Sequence, residues 1–372
     1  MTKHFLDIHV LQSLPPSNVN RDDAGRPKTA TFGGTTRARV SSQSWKKAVR
    51  NAFEKLIPAE ETAIRTLRAV EKLTPLIRER RGDWDAEHCE KRAIETLRAL
   101  DLKIEVPKAK KDGTEAAATS QYLLFLSMHQ LERLADVAAS DSDKIAKKEA
   151  KAAANGAHGV EVALFGRMVA DATDLNVDAS VQVAHAISTH AVDTESDYFT
   201  AVDDFKNVGD DAGAGMIGYV DFNSSTLYRF ATVDLRQLEE SLGSSKVAAK
   251  AAKAFVEGFA MSMPTGKQNT FANNTVPDVL VVQLRAGRSA SYANAFERAV
   301  TQSEQGYLEE STRRLVEHAK DLEGSFLGEA DATFVTRSGS LTDAADTLAE
   351  SQPLPSLLTH VEEAAATALE GQ

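Results

Sequence analysis

The residues with the clearest chemical potential lie between Asn20 and Arg50. They run Asn20-Arg21-Asp22-Asp23, then Lys28, Gly33-Gly34, Arg37, Arg39, Ser41-Ser42-Gln43-Ser44-Trp45-Lys46-Lys47 and Arg50. Ser41 and Ser42 open an amphipathic stretch, where a serine hydroxyl caps a helix. A helix start exposes unpaired N–H groups and a partial positive charge, and both favour a phosphate. Gln43, Lys46 and Arg50 follow at i, i+3 and i+7, so they share a face and climb it turn by turn. That spacing suits a polyanion better than a single phosphate. Gly33-Gly34 permits a close backbone approach. The chemistry implied is sequence-independent contact with a nucleic-acid backbone. The plainer alternative is a solvated helix face beside a basic loop.

Three other patterns carry less. Gly213-Ala214-Gly215-Met216-Ile217-Gly218 has the dinucleotide-binding spacing, but that reading needs a helix to open after it. A strand follows instead, so the segment reads as a Gly-rich hairpin tip offering Met216 and Ile217 as apolar wedges. His185 and His190 lie near Asp193, Glu195 and Asp197. The i, i+5 interval suits neither one helix face nor one strand face, so packed or hydrogen-bonded histidines are expected rather than a metal site. Asp22 and Asp23 could ligate magnesium for hydrolysis, but Arg21 and Arg26 make charge compensation the simpler role. There is no nucleophile elbow, Walker A or Cys/His zinc pair, and no cofactor is implied. The single cysteine, Cys89, excludes an intrachain disulfide and fits a reducing compartment.

The elements that must position these residues show in the hydrophobic pattern. Phe5–Leu11 alternates, with Leu6, Ile8 and Val10 on one face and Asp7 and His9 on the other, as in a half-buried strand. Residues 13–40 read as a long loop. The helix that ends at Leu56 buries Trp45, Val49, Ala52, Phe53 and Leu56. From about 58 to 158 the chain turns rich in Ala, Glu, Lys, Arg and Leu, a helical insertion. Ile64, Leu67 and Val70 mark one helix, Cys89, Ala93, Leu97 and Leu100 another, and Lys144–Asn155 a solvated third. Glu161–Met168 reads as a second strand, Thr226–Asp234 as a third, Lys246–Met261 as a helix and Pro277–Leu284 as a fourth strand. Helices around Glu304–Leu322 and Leu354–Leu369 follow. Without the insertions the order is β-α-β-β-α-β, an α+β fold of ferredoxin-like or RRM-like pattern.

The whole 372-residue chain has a net charge of −11, which taken alone argues against nucleic acid. The distribution says otherwise. Residues 21–50 carry a net charge of +6, and residues 301–372 carry −10. No apolar run approaches the roughly 18 residues of a membrane span, and the start has no secretory h-region, so a cytoplasmic protein is expected.

Several segments together carry a resemblance. These are Phe5–Leu11, Asn20-Arg21-Asp22-Asp23, Phe32-Gly33-Gly34, Arg39-Val40-Ser41-Ser42-Gln43-Ser44-Trp45-Lys46, Ala163–Met168, Val183–His190, Tyr198–Asp204, Lys267-Gln268 and Ala293–Glu297. They resemble the CasC backbone subunits of type I-E CRISPR Cascade complexes, over nearly the whole chain and more weakly across 58–158 and past 300. The resemblance implies an RRM-like palm, helical fingers and a thumb hairpin. Residues 1–57 would be the first half of the palm, with its RNA-binding loop and helix. Residues 58–158 would be the fingers, 159–202 the second palm strand and its connection, and 203–223 the thumb. Residues 224–300 would be the second half of the palm, and 301–372 an acidic helical extension. It implies a non-enzymatic subunit that polymerises along crRNA and kinks out bases periodically. Its other partners would be target DNA, further copies of itself and Cascade subunits of the CasA, CasB, CasD and CasE types, with no membrane. Carried over by position, Arg21, Lys28, Arg39, Ser41, Gln43, Lys46 and Arg50 would contact the guide backbone. Met168, on a palm strand, would lie against a base, and Met216 and Ile217 near the thumb tip. Lys108, Lys110 and Lys111 are candidates for target DNA. The alternative is a metal-dependent ribonuclease of a related CRISPR effector, with Asp22 or Asp23 at its centre.

Overall fold

The computed structural model describes residues 3–58, 63–106, 117–155, 158–169, 172–201 and 216–371. The fold is α+β, and the chain divides into two compact units. One comprises residues 1–52, 182–232 and 255–372; the other comprises 53–181 and 233–254.

The first unit is built on a sheet centred on β1 (His4–Ser17). The strand Val279–Ala286 pairs antiparallel with β1, from His4 opposite Ala286 to Leu11 opposite Val279. Leu6, Ile8 and Val10 are buried as their alternation requires, yet Asp7, His9 and Gln12 are fully buried too. The expected half-buried strand is therefore a central one covered on both faces. Each of its buried polar side chains keeps at least one hydrogen bond, which offsets part of the cost of burial. Asp7 accepts from the Ala290 N–H at 2.8 Å. His9 Nδ1 meets the Tyr228 hydroxyl at 2.9 Å, and its ring stacks on Tyr292 at 4.0 Å.

Beyond β1 the sheet continues through Met216–Asp234 and Ala186–Ser188 to a hairpin of β2 (Thr29–Phe32) and β3 (Thr35–Val40), with β2 at the edge. The expected loop over 13–40 thus holds the end of β1 and a two-stranded ribbon. Its Thr, Pro and Gly composition hides the alternation. Gly33 and Gly34 make the turn, at φ of +57° and +76°, a conformation that favours glycine. A Cβ on Gly33 would fall 1.6 Å from the Glu297 carbonyl oxygen. The close approach these glycines permit is to the protein's own backbone.

Two further expectations are corrected. Glu161–Met168 is not a strand: Val160–Phe165 is a helix, ended by Gly166 at φ +76°. Val160, Val162, Ala163 and Leu164 are all buried, so no polar face reveals the helical period. The β-α-β-β-α-β order therefore lacks that second strand, and the short Ala186–Ser188 lies between β3 and Met216–Asp234 instead. Residues 301–372 are also more than helical. Between the helices Leu308–Leu322 and Leu354–Glu370, the strand Ala332–Arg337 pairs antiparallel with Val279–Ala286 and closes that edge of the sheet. Leu315, Ala319 and Val335 share a core with Leu11, Tyr228 and Tyr292.

The helix α1 (Ser42–Leu56) forms where its apolar spacing places it. Trp45, Val49 and Phe53 are at most 1 % exposed, each worth about 1.5–3 kcal/mol of burial. Trp45 packs with Leu14, Ala38, Val40 and Leu227. The guanidinium of Arg229 lies 3.7 Å from its ring centroid and donates to Gln12 Oε1 at 2.6 Å and to the Phe259 carbonyl. Burial pushes the Arg229 guanidinium pKa down to about 9. This stack locks α1 to the sheet and fixes which of its faces is left outside.

The second unit gathers the helices Ala69–Arg80, Ala86–Ala99, Met128–Ala138 and Lys147–Ala154 around Val70, Leu73, Ile77, Cys89, Leu97, Leu131 and Leu134. Ile64, read as helical, lies in the strand Ala63–Thr66, which pairs with Leu124–Ser127. The helix Lys147–Ala154 is solvated on one side only, because Ala150, Ala153 and Ala154 are buried.

Candidate nucleic-acid interface

Asn20 is the junction on which the basic segment is assembled. Its carbonyl accepts from the Lys28 N–H at 2.9 Å, and its Oδ1 accepts from the Ser41 N–H at 2.8 Å. The Lys28 carbonyl in turn accepts from the Arg39 N–H at 2.9 Å. Arg21 is exposed at the mouth of a turn bridged to Pro27. Inside that turn Asp22 Oδ1 accepts from the Arg26 N–H at 2.8 Å. One of the two carboxylates considered for magnesium is thus a turn-former.

The cations divide sharply by environment. Arg37 is fully buried. It donates to the carbonyls of Ser188 (3.0 Å), Phe296 (2.9 Å) and Glu297 (3.2 Å), and to Thr35 Oγ1 (2.8 Å). Arg26 faces Asp221 at 3.6 Å. Among the described residues, Arg21, Lys28, Arg39, Lys46 and Lys47 form no ion pair. Arg39 Nε donates to the Thr29 carbonyl at 3.2 Å. On α1, Gln43 is exposed, and Lys46 and Arg50 are half-buried on the next turns. Burial pushes the Lys46 ammonium pKa down.

Most N–H groups at the start of α1 are satisfied within the chain. Ser41 is buried, and its Oγ accepts from the Ser44 N–H at 3.3 Å. The Ser42 N–H donates to His185 Nδ1 at 2.8 Å. Of the anion-attracting N–H groups expected there, those of Ser42, Ser44 and Trp45 already have partners, and the Ser41 hydroxyl serves as a cap. What remains for a polyanion is the side-chain row Arg21, Lys28, Arg39, Gln43 and Lys46, with Arg50 beyond it.

Met168 is 88 % exposed. It is not on a sheet strand but on a loop of the second unit, after the helix Val160–Phe165. The loop is held by the Arg167–Val177 bridge and by Asn176 Oδ1, which accepts from the Val169 N–H at 2.6 Å. Arg167 is buried beneath it and donates to the carbonyls of Leu175 (2.7 Å) and Phe125 (3.2 Å). Met216 and Ile217 begin the long strand Met216–Asp234, opposite Ala201 and Thr200 of the strand Glu195–Ala201. Residues 202–215, part of the expected thumb, lie outside the described residues, as do Lys108, Lys110 and Lys111.

The hairpin also carries aromatic side chains that periodicity did not flag. Tyr198 and Tyr219 are cross-strand partners with centroids 5.6 Å apart, 53 % and 73 % exposed. Their signal was the period-2 spacing on two strands whose pairing is invisible before folding.

The two histidines considered for a metal are hydrogen-bonded separately. His190 is buried, with Nδ1 toward the Ala191 carbonyl at 2.8 Å and Nε2 accepting from the Thr226 N–H at 3.1 Å. Among the described residues no three His, Cys, Asp or Glu side chains come together as a metal site.

The fold is shared with chains of solved CRISPR RNA-guided surveillance complexes. One, described as pre-nicking, is 34 % identical over 97 % of this chain and 100 % of its own, with a TM-score of 0.81. A second is 29 % identical over 97 % and 99 %, with a TM-score of 0.72. A comparison with curated protein sequences finds no match. The chain belongs to the CT1975-like protein family (Cas_CT1975), whose pattern it matches over residues 6–360.

Proposed function

We propose that this chain is a CasC-type backbone subunit of a type I-E CRISPR Cascade complex, a non-catalytic scaffold that binds the guide RNA. The observation that carries the proposal is the set of cations Arg21, Lys28, Arg39 and Lys46, which form no ion pair among the described residues, in a chain similar end to end to a surveillance-complex chain. A guide-holding subunit must accept any spacer, so its contacts belong on phosphate and sugar. Base pairing with target DNA then supplies specificity.

In this reading the first unit acts as an RRM-like palm and the hairpin Glu195–Ala201/Met216–Asp234 as a thumb. Met168 offers an exposed apolar side chain to a base. Kinking a base out costs a few kcal/mol, which apolar contact from the thumb offsets. Copies joined head to tail do not close into a ring and so extend along the guide. CasA-, CasB-, CasD- and CasE-type subunits complete the assembly. The test is co-expression with those subunits and a guide precursor. Guide RNA is expected to co-purify in a fixed length class. A nucleic-acid-free assembly, or periodic magnesium-dependent cleavage of complementary RNA that is lost in Asp22→Ala or Asp23→Ala, would overturn the proposal.

A further inference from the structure

We infer that His185 is a further contact for the guide: a neutral imidazole that donates a hydrogen bond from Nε2 to an oxygen of the RNA backbone, phosphate or ribose. The inference rests on the reading of the basic face as the RNA site. The Ser42 N–H donates to Nδ1 at 2.8 Å, so Nδ1 keeps its lone pair and the ring proton sits on Nε2. The ring is exposed, and Nε2 has no protein acceptor among the described residues.

The surroundings hold the ring in this state. Partial burial, then Arg39 and Lys28, push its pKa below the ordinary histidine value, so it is neutral at pH 7. Arg39 and Lys28 are also the charged groups that face it from β3 and from the loop before β2. His185 directly precedes the strand Ala186–Ser188, which pairs with β3 through Val40–Ala186 and Arg39–Ile187. The sheet therefore fixes the ring beside Arg39, and α1 fixes its rotation through Ser42. Beside the two cations the ring is an uncharged donor held in place by Ser42 and the sheet. Such a group reads backbone oxygens without adding charge, and it suits a ribose hydroxyl as well as a phosphate.

Two substitutions separate this role from a merely structural one. His185→Asn keeps an acceptor at the Nδ1 position for Ser42 but has no donor at the Nε2 position. His185→Gln restores an N–H near Nε2 and loses the acceptor for Ser42. The full-length chain is titrated into a fluorescein-labelled single-stranded RNA of mixed sequence, and thermal unfolding is followed in parallel. His185→Asn is expected to bind about three- to tenfold more weakly, the loss of one hydrogen bond, with unchanged thermal stability. His185→Gln is expected to bind nearly as wild type and to unfold at lower temperature. The difference between wild type and His185→Asn should vanish on a 2′-deoxy strand if the oxygen is ribose, or on a strand with methylphosphonate linkages if it is phosphate. The reverse order, with Asn binding as wild type and Gln weaker, assigns His185 to capping α1 alone and overturns the inference. Lys46→Ala/Arg50→Ala is measured alongside. If it weakens binding while His185→Asn does not, the RNA reading stands and the His185 contact falls. If neither changes binding, the RNA reading fails and takes this contact with it.

Discussion

The basic N-terminal block and the acidic C-terminal segment show opposite treatments of charge. In residues 301–372 several carboxylates pair within the chain. Glu310 meets Arg313 and Arg314, each at 2.7 Å. Glu323 meets the buried Arg285 at 2.5 Å. Asp343 and Asp346 both hold Arg337. In residues 21–50 Arg37 and Arg26 have internal partners, whereas Arg21, Lys28, Arg39, Lys46 and Lys47 have no ion pair among the described residues. Surface pairs are worth little individually, but they leave less charge for a partner. The difference teaches that the net charge of −11 is no guide to what the chain binds, since the basic block keeps Arg21, Lys28, Arg39, Lys46 and Lys47 without an ion pair among the described residues.

Substitutions can break that comparison, and the largest effect is expected inside the basic block itself. Arg37→Ala leaves three buried carbonyls without a donor and should lower unfolding stability by about 3 kcal/mol or more, measured by urea denaturation. Arg39→Ala, two residues along the same strand, should change stability by less than about 1 kcal/mol and weaken RNA binding. Equal stability losses would contradict the division between structural and free cations.

A smaller effect belongs to the acidic segment. Hydrogen bonds from Arg313, then Arg314, outweigh partial burial and hold the Glu310 carboxyl down to about 2. Because the folded value lies below the unfolded one, the stabilisation is fully present above about pH 4.5 and is lost as pH falls towards 2. Solvent screening keeps it within about 1 kcal/mol. Glu310→Gln should flatten stability over that window and leave neutral-pH RNA binding unchanged. The smallest effect is expected from Glu309→Lys with Asp321→Lys. Both residues are exposed, and the reversal should shift stability by no more than about 0.5 kcal/mol. It should leave the affinity for a short single-stranded RNA within about twofold; a larger gain would place the acidic segment beside the RNA path.

The sequence made legible what periodicity encodes. The alternation in β1 and the Trp45–Val49–Phe53 stripe of α1 are local patterns, and both elements form where expected. Val160–Phe165 was hidden because a short segment whose first five residues are all buried, Glu161 included, has no period to read. The β2–β3 hairpin was hidden by Thr and Gly, and the edge strand Ala332–Arg337 by the helices around it. At the site, the basic residues were readable one by one, but their roles were not. Arg37 and Arg39 differ only because the Phe296-Glu297 backbone, some 260 residues away along the chain, covers one of them. Likewise, His185 meets Ser42 across 143 residues, a contact no local pattern announces.

The central claim, a sequence-independent grip on an RNA backbone, is tested most directly by salt titration of binding to two single-stranded RNAs of unrelated sequence. Wild type should bind both equally, with log affinity falling linearly against log salt. Lys46→Ala/Arg50→Ala should reduce that slope by about 1.4 on both RNAs, from roughly 0.7 for each lost single-strand phosphate contact. An affinity that depends on the RNA sequence, or a slope the double substitution leaves unchanged, would contradict the account.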